Sequence, residues 1–190
     1  PTAEECYGAK WVYGYGNELF AALKQAGAEA KIIAEDLGTI TPDVEELRKN
    51  NGLPGMKILQ FGFESCDAGN SFLPANFEPD CVVYTGTHDN DTTLGWYRAT
   101  PDYIKTFLHQ SIHANNEVDV VWEMMRLGME SCAVLCITPL QDILAYGSEA
   151  RMNFPGVADN QWEFRYRAES LTDAHAARLS ALTQQSHRVG

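Results

Sequence analysis

Two stretches place titratable side chains directly after apolar runs: Ile32-Ile33-Ala34-Glu35-Asp36-Leu37-Gly38, and Val82-Val83-Tyr84-Thr85-Gly86-Thr87-His88-Asp89-Asn90-Asp91-Thr92. A carboxyl carried to the end of a buried parallel strand and flanked by apolar neighbours has its pKa pushed upward by desolvation. That is what a general acid at neutral pH requires. Glu35 has this placement. An isolated Glu-Asp pair after a strand is also what a helix cap or a lysine partner would use, and alone it favours that structural role. The second stretch shifts the balance, because dense polar side chains beyond a buried strand are costly unless they bind something or one another. His88 and Asp89 are the candidates there. Both are metal-ligand types, but no second histidine stands at ligand spacing, so a metal site is not expected. His109, His113, His175 and His187 fall on predicted helices and read as ordinary surface or half-buried residues.

A further apolar run ends in Thr138-Pro139-Leu140-Gln141-Asp142, and Arg151-Met152-Asn153-Phe154-Pro155-Gly156 follows as a loop. Asn153, before an aromatic and a Pro-Gly turn, suits either a hydrogen bond to a hydroxyl or the turn itself. Phe61, Phe63, Trp96, Tyr97, Phe154 and Trp162 lie near these ends and could stack on flat ligand faces. Taken singly, each reads as packing.

The elements that must position these groups follow from periodicity. Leu19, Phe20 and Leu23 share a face and predict a helix over 16–26, with Gly27 to stop it. Residues 31–34 predict a buried strand. Thr41-Pro42-Asp43 starts a helix, with Thr41 as cap, Pro42 at its first position and Asp43 complementing the dipole, and Asn50-Asn51-Gly52 ends it. Val44 and Leu47 give it a packing stripe. Strands are predicted over 56–61, 81–84 and 133–137, a loop over 68–79, and helices over 101–114, 117–129 and 172–186. Trp122 and Met125 are expected in the core. Strands separated by helices pair in parallel through right-handed crossovers, giving an α/β fold that is either an open sheet or a barrel. The chain has no G-x-G-x-x-G after a strand and no phosphate-loop motif, which removes support for a nucleotide-binding open sheet.

Composition narrows the class further. With 45% hydrophobic residues the chain has enough apolar material for one domain with a sizeable core. A net charge of -12 argues against nucleic acid as a partner, and no apolar run approaches a membrane span, so no membrane partner is expected. Five cysteines without a C-x-x-C pair fit a reducing compartment rather than disulfides or zinc. Cys81, Cys132 and Cys136 read as small apolar residues. The chain opens on Pro1 with residues that read as mid-protein sequence.

Four blocks, residues 32–38, 54–61, 83–92 and 150–156 (Ile-Ile-Ala-Glu-Asp-Leu-Gly, Pro-Gly-Met-Lys-Ile-Leu-Gln-Phe, Val-Tyr-Thr-Gly-Thr-His-Asp-Asn-Asp-Thr, Ala-Arg-Met-Asn-Phe-Pro-Gly), stand in the order found in the 4-α-glucanotransferases. From about Trp11 onward the chain resembles that amylomaltase or disproportionating-enzyme family, relatives of the α-amylases. The resemblance implies an α/β fold that is the C-terminal half, strands five to eight, of a (β/α)₈ barrel, with residues 1–190 as one partial catalytic domain. It implies retaining transfer of α-1,4-glucan segments to glucose or maltodextrin acceptors, with no cofactor and no metal. By resemblance, Glu35 is the general acid/base, Asp89 the transition-state-stabilising carboxylate and His88 its substrate-binding neighbour. Phe61, Glu64 and Asn153 match substrate-contacting positions less firmly. The family's nucleophile sits in an Arg-x-Asp-His block that this chain lacks, and the expectation is that it lies upstream of Pro1 with strands one to four, the missing half being a partner of this one. Tyr15 stands where the family usually has proline. Retaining chemistry needs two carboxyls about 5–5.5 Å apart, and nothing here attacks, so the isolated chain is expected to be inactive and poorly soluble through its open sheet edges. Cytoplasm, or alternatively plastid stroma, is the expected compartment. An amylase-type α-glucan hydrolase and a non-catalytic glucan-binding fragment stand as alternatives.

Overall fold

The computed structural model describes residues 14–27 and 32–189, and the chain divides into two compact units, 1–54 and 55–190. In the first unit, helix α1 (Gly16–Gln25) is followed by Gly27 at φ +80°, a left-handed turn that a residue without Cβ adopts freely. Its apolar face is not sealed: Leu19 is 54% exposed and no residue of α1 is buried within the described structure. Helix α2 (Pro42–Asn50) has proline in its first turn as expected; Thr41 stands at the N-cap in extended geometry, but its side chain accepts no capping hydrogen bond. Its buried residue is Arg48 rather than Val44, which is 42% exposed. The Arg48 guanidinium donates to Leu53 O at 2.7 Å and pairs with Asp36 at 3.2 Å. The strand expected over 31–34 is not formed by residues 32–34, and Lys31 lies outside the described residues. Ala34 N–H donates to Pro54 O at 3.0 Å, but a strand needs a continuous ladder, and Ile33 stays 38% exposed.

The second unit is built on three parallel strands in the order β1 (Gly55–Ile58), β2 (Cys81–Tyr84), β3 (Leu135–Ile137). The parallel α/β reading therefore holds. The register pairs Ile58 with Tyr84 and Tyr84 with Ile137, so all three strands release the chain at one end of the sheet. β2 is central and its Val82 and Val83 are sealed, which is why it reads as an unbroken apolar run. β1 is shorter than expected, because Leu59–Gly62 turns into a short helix, α3, and carries Phe61 off the strand.

Helix α4 (Thr93–Ala99) was not anticipated from the sequence; Thr92 caps it by accepting Gly95 N–H on its hydroxyl at 3.1 Å. Helix α5 (Asp102–Leu108) ends well before Ala114. Helix α6 (Glu117–Glu130) is capped by Asn116, which accepts Asp119 N–H at 3.0 Å, and buries Trp122 and Met125, as expected, together with Val120, Val121 and Met124. A short α7 (Leu140–Ile143) follows β3, and α8 (Asp173–Gln185) starts from a capping box between Thr172 and His175. The main core joins Leu59, Phe63, Val83, Ile104, Leu108 and Met124, and a smaller cluster joins Trp122, Met125 and Leu182. Arg188 then donates to the carbonyls of Ser131 and Ala133, at 3.0 and 2.9 Å, tying the C-terminal segment to the approach of β3. Cys81 is buried, whereas Cys132, expected as an apolar packing residue, is exposed ahead of β3. No described helix is long and apolar enough to cross a membrane.

Candidate functional site

The shared strand end gathers three loops. The first leaves β1 through α3 to Glu64, the second leaves β2 as residues 85–92, and the third follows β3 and α7 as residues 151–162. Two glycines let the second loop fold close to its neighbours. A Cβ on Gly86 would stand 2.7 Å from Gln60 Nε2, which donates to Asp91 O at 2.9 Å. One on Gly95 would stand 2.3 Å from Ser148 Oγ and 2.7 Å from the Asp91 carboxylate, the two groups that hydrogen-bond each other at 2.6 Å. Within the loop, Asn90 Oδ1 accepts both the N–H and the hydroxyl of Thr87 at 2.8 Å, closing a tight turn that projects His88 and Asp89 outward.

Asp89 is braced from two sides. Asn153 Nδ2 donates to its Oδ1 at 2.6 Å, and His88 Nε2 lies 3.3 Å from the same oxygen. Asn153 is itself fixed, because its backbone N–H donates to His88 O at 3.1 Å. The sequence-predicted residues His88, Asp89 and Asn153 thus form one hydrogen-bonded group across 64 positions of chain. About half of the His88 and Asp89 side chains remains accessible, at 51% and 48%, so the group stands open to a ligand. Both hydrogen-bonding partners converge on Oδ1, and a carboxylate has further acceptor capacity that a hydroxyl or a developing positive charge could use.

Glu64 joins Asp89 in lining a cleft of about 490 Å³, together with Trp96, Tyr103 and Arg151. Phe61 instead turns its ring edge-on to Phe72, centroids 5.4 Å apart. Glu35 is exposed in the first unit, and Asp36 beside it pairs with Arg48. The aromatic candidates separate by burial. Phe63 is core, Trp96 and Tyr97 pack against that core, and Phe154 and Trp162 are 45% and 54% exposed. Trp162 holds φ +63°, donates its backbone N–H to Met152 O at 2.8 Å and packs its ring 4.9 Å from the His88 ring, centroid to centroid. A non-glycine residue in left-handed backbone is strained, and such strain persists where surrounding contacts fix it.

Arg151 belongs to this hydrogen-bonded group, although sequence reasoning did not single it out. Its guanidinium donates to Asp89 O and, through Nε at 2.9 Å, to Asn153 O, while stacking 4.1 Å from the Phe154 ring centroid. Its place beside Asn153 was the available signal, but nothing in the sequence says that it reaches back 62 residues. Among the described residues no group of three or more His, Cys, Asp or Glu side chains is arranged to hold a metal ion.

The family model described as 4-alpha-glucanotransferase matches residues 2–172. The chain is 46% identical to a 4-alpha-glucanotransferase of Thermus thermophilus, an alignment covering 100% of this chain and 38% of that protein. It is 43% identical to a chloroplastic/amyloplastic 4-alpha-glucanotransferase of Arabidopsis thaliana, over 86% of this chain and 28% of the relative. An amylomaltase from Streptococcus agalactiae, solved in complex with acarbose, superposes with a TM-score of 0.88 at 31% identity, covering 95% of this chain and 37% of its own. The chain thus spans little more than a third of the length of these proteins at most, and over that span it belongs to the 4-alpha-glucanotransferase family.

Proposed function

We propose that this chain is part of a 4-alpha-glucanotransferase that moves α-1,4-glucan segments between maltooligosaccharides with retention of configuration. The observation that carries the reading is the Asp89 carboxylate, braced by His88 and Asn153 at the strand end, in a chain that belongs to this family. In a retaining transfer one carboxyl attacks, a second protonates the leaving oxygen, and fixed negative charge favours the oxocarbenium-like transition state. Asp89 takes the last role, with Asn153 and His88 holding its carboxylate at one orientation. Glu35 takes the proton-donor role, and His88, Asn153, Glu64 and Phe61 contact sugar.

The remainder of the reading follows from the family. By the family's pattern, β1 to β3 correspond to strands six to eight of a (β/α)₈ barrel and the segment before Glu35 to its fifth, and residues 1–190 are part of one catalytic domain. A partner barrel half supplies the nucleophile. The exposed Val134, just before edge strand β3, and Leu135, its first residue, are consistent with such a neighbour. The acarbose complex of the streptococcal relative supports an oligosaccharide substrate. A cytoplasmic or plastid location accords with the bacterial and chloroplastic relatives.

The test is product analysis from maltotriose by the complete enzyme carrying this chain. Glucose together with longer maltodextrins is expected; glucose and maltose alone would mean hydrolysis and sink the transfer reading. Glu35→Gln keeps the shape and removes the proton, and is expected to cut turnover by about 10²-fold or more, the range of general acid catalysis. Near-normal transfer by that variant would remove Glu35 from the mechanism.

A further inference from the structure

The loop carrying His88 and Asp89 leaves β2 at Thr85 and enters α4 at Thr93, and one side chain holds both ends. Asp142, on α7, is 1% exposed. Its Oδ2 accepts the Thr85 hydroxyl at 2.5 Å and the Thr93 hydroxyl at 2.7 Å, and its Oδ1 accepts the Thr93 N–H at 2.9 Å. Thr85 and Thr93 are themselves sealed, at 1% and 0% exposure. A carboxyl in such a place is costly unless its lone pairs are used. Burial pushes the Asp142 carboxyl up, the threonine donors oppose that shift, and the nearby Asp91 charge adds to it. An apolar side chain would fill the same volume without the desolvation cost, so the cost must be offset by what the three bonds fix.

We propose that Asp142 is a positioning residue that pins both ends of the 85–93 segment to one rigid point and thereby fixes where His88 and Asp89 are presented. The geometry is that of a clamp. A loop whose two ends are separately tied has little freedom to translate, and errors of about 1 Å at a reacting group cost roughly 10²-fold in rate. The assignment rests on the proposed function for its catalytic consequence, but the clamp itself is a property of the loop. Asparagine should replace aspartate well. Its Oδ1 can accept the Thr93 N–H, and its two amide hydrogens can be donated to the two threonine hydroxyls, which are acceptors as well as donors. Alanine keeps none of these bonds.

The experiment compares Asp142→Ala, Asp142→Asn and Thr93→Val in the complete enzyme, with two readouts. Amide hydrogen exchange, followed by mass spectrometry on a peptide spanning 84–94, reads the clamp whether or not the enzyme transfers glucan. Steady-state maltotriose disproportionation reads its consequence. Asp142→Ala is expected to speed exchange of that peptide about tenfold or more while peptides of α6 stay as in the parent, and to lower kcat by roughly 10²-fold with KM within about threefold. Thr93→Val is expected to lie between, and Asp142→Asn to recover most of both losses. Unchanged exchange at 84–94 in Asp142→Ala overturns the proposal, as does an asparagine variant as impaired as alanine. A parent enzyme without transfer activity would refute the functional reading, while the exchange pattern would still decide the clamp.

Discussion

Replacing Arg151 by alanine cuts the tether between the loop after β2 and the loop after α7. Three contacts are lost at once: the bonds to Asp89 O and Asn153 O, and the guanidinium stacked on Phe154. A hydrogen bond from a charged donor is worth about 1.5–3 kcal/mol, and the low end applies here because water reaches the site. The exposed bond to Asp89 O merits about half of that, and an exposed cation–π contact adds roughly 0.5–1 kcal/mol. Against this, alanine no longer needs to order a long side chain, which returns about 1 kcal/mol. The net is about 2 kcal/mol, or roughly a thirtyfold shift in the population of the tethered arrangement. In the complete enzyme, kcat/KM for maltotriose should fall by up to that factor. Arg151→Lys should fall less, since a single ammonium keeps charge over Phe154 but cannot reach two carbonyls in a fixed fork. Initial-rate glucose release from maltotriose measures both, with circular dichroism confirming the fold. A folded Arg151→Ala enzyme within twofold of its parent would show that Asp89 and Asn153 hold their places without this bridge.

Two further outcomes test the scaffold. Gly62→Ala would put a Cβ 2.6 Å from Phe72 O and 2.9 Å from Phe72 C, backbone atoms that no rotamer change can move. Overpacking of about 1–3 kcal/mol should outweigh the helix gain of at most about 1 kcal/mol, and denaturant melts showing Gly62→Ala at parental stability would contradict this. Glu123 is partly buried, which pushes its carboxyl up, yet hydrogen bonds from Arg126 and His113 N–H, with the Arg126 charge, hold it below its ordinary value. A depressed folded pKa stabilises above the unfolded value of about 4.3 and is lost as pH falls through the folded one. Glu123→Gln should therefore lower Tm at pH 7 and lose most of that deficit below about pH 4; an equal deficit at both pH values refutes the linkage.

The second unit was largely legible because its signals are local. Cys81–Tyr84 is a run of apolar and β-favouring residues bounded by turn residues, and it forms the central strand over those four positions. Asn116 and Thr172 cap α6 and α8 where their residue types suggest. The first predicted strand failed for a non-local reason, since an apolar run becomes a strand only when partners complete its ladder. Helix α4 escaped notice because 92–99 mixes a polar start with a glycine whose purpose is to admit Asp91 and Ser148. Phe61 left its strand because the apolar pattern cannot distinguish a final strand residue from the first turn of a buried helix.

Residue type and order determined the family, the parallel α/β plan, and the fact that His88, Asp89 and Asn153 belong near strand ends. Tertiary structure decided which of these side chains touch. That Asn153 reaches an oxygen of Asp89, that Arg151 bridges the two loops, and that Asp142 grips Thr85 and Thr93 all depend on pairings 49 to 64 residues apart. Short-range propensity and periodicity report only on neighbours along the chain. Hydrogen bonds across loops are set by strand register and by the packing that brings separate strand ends together.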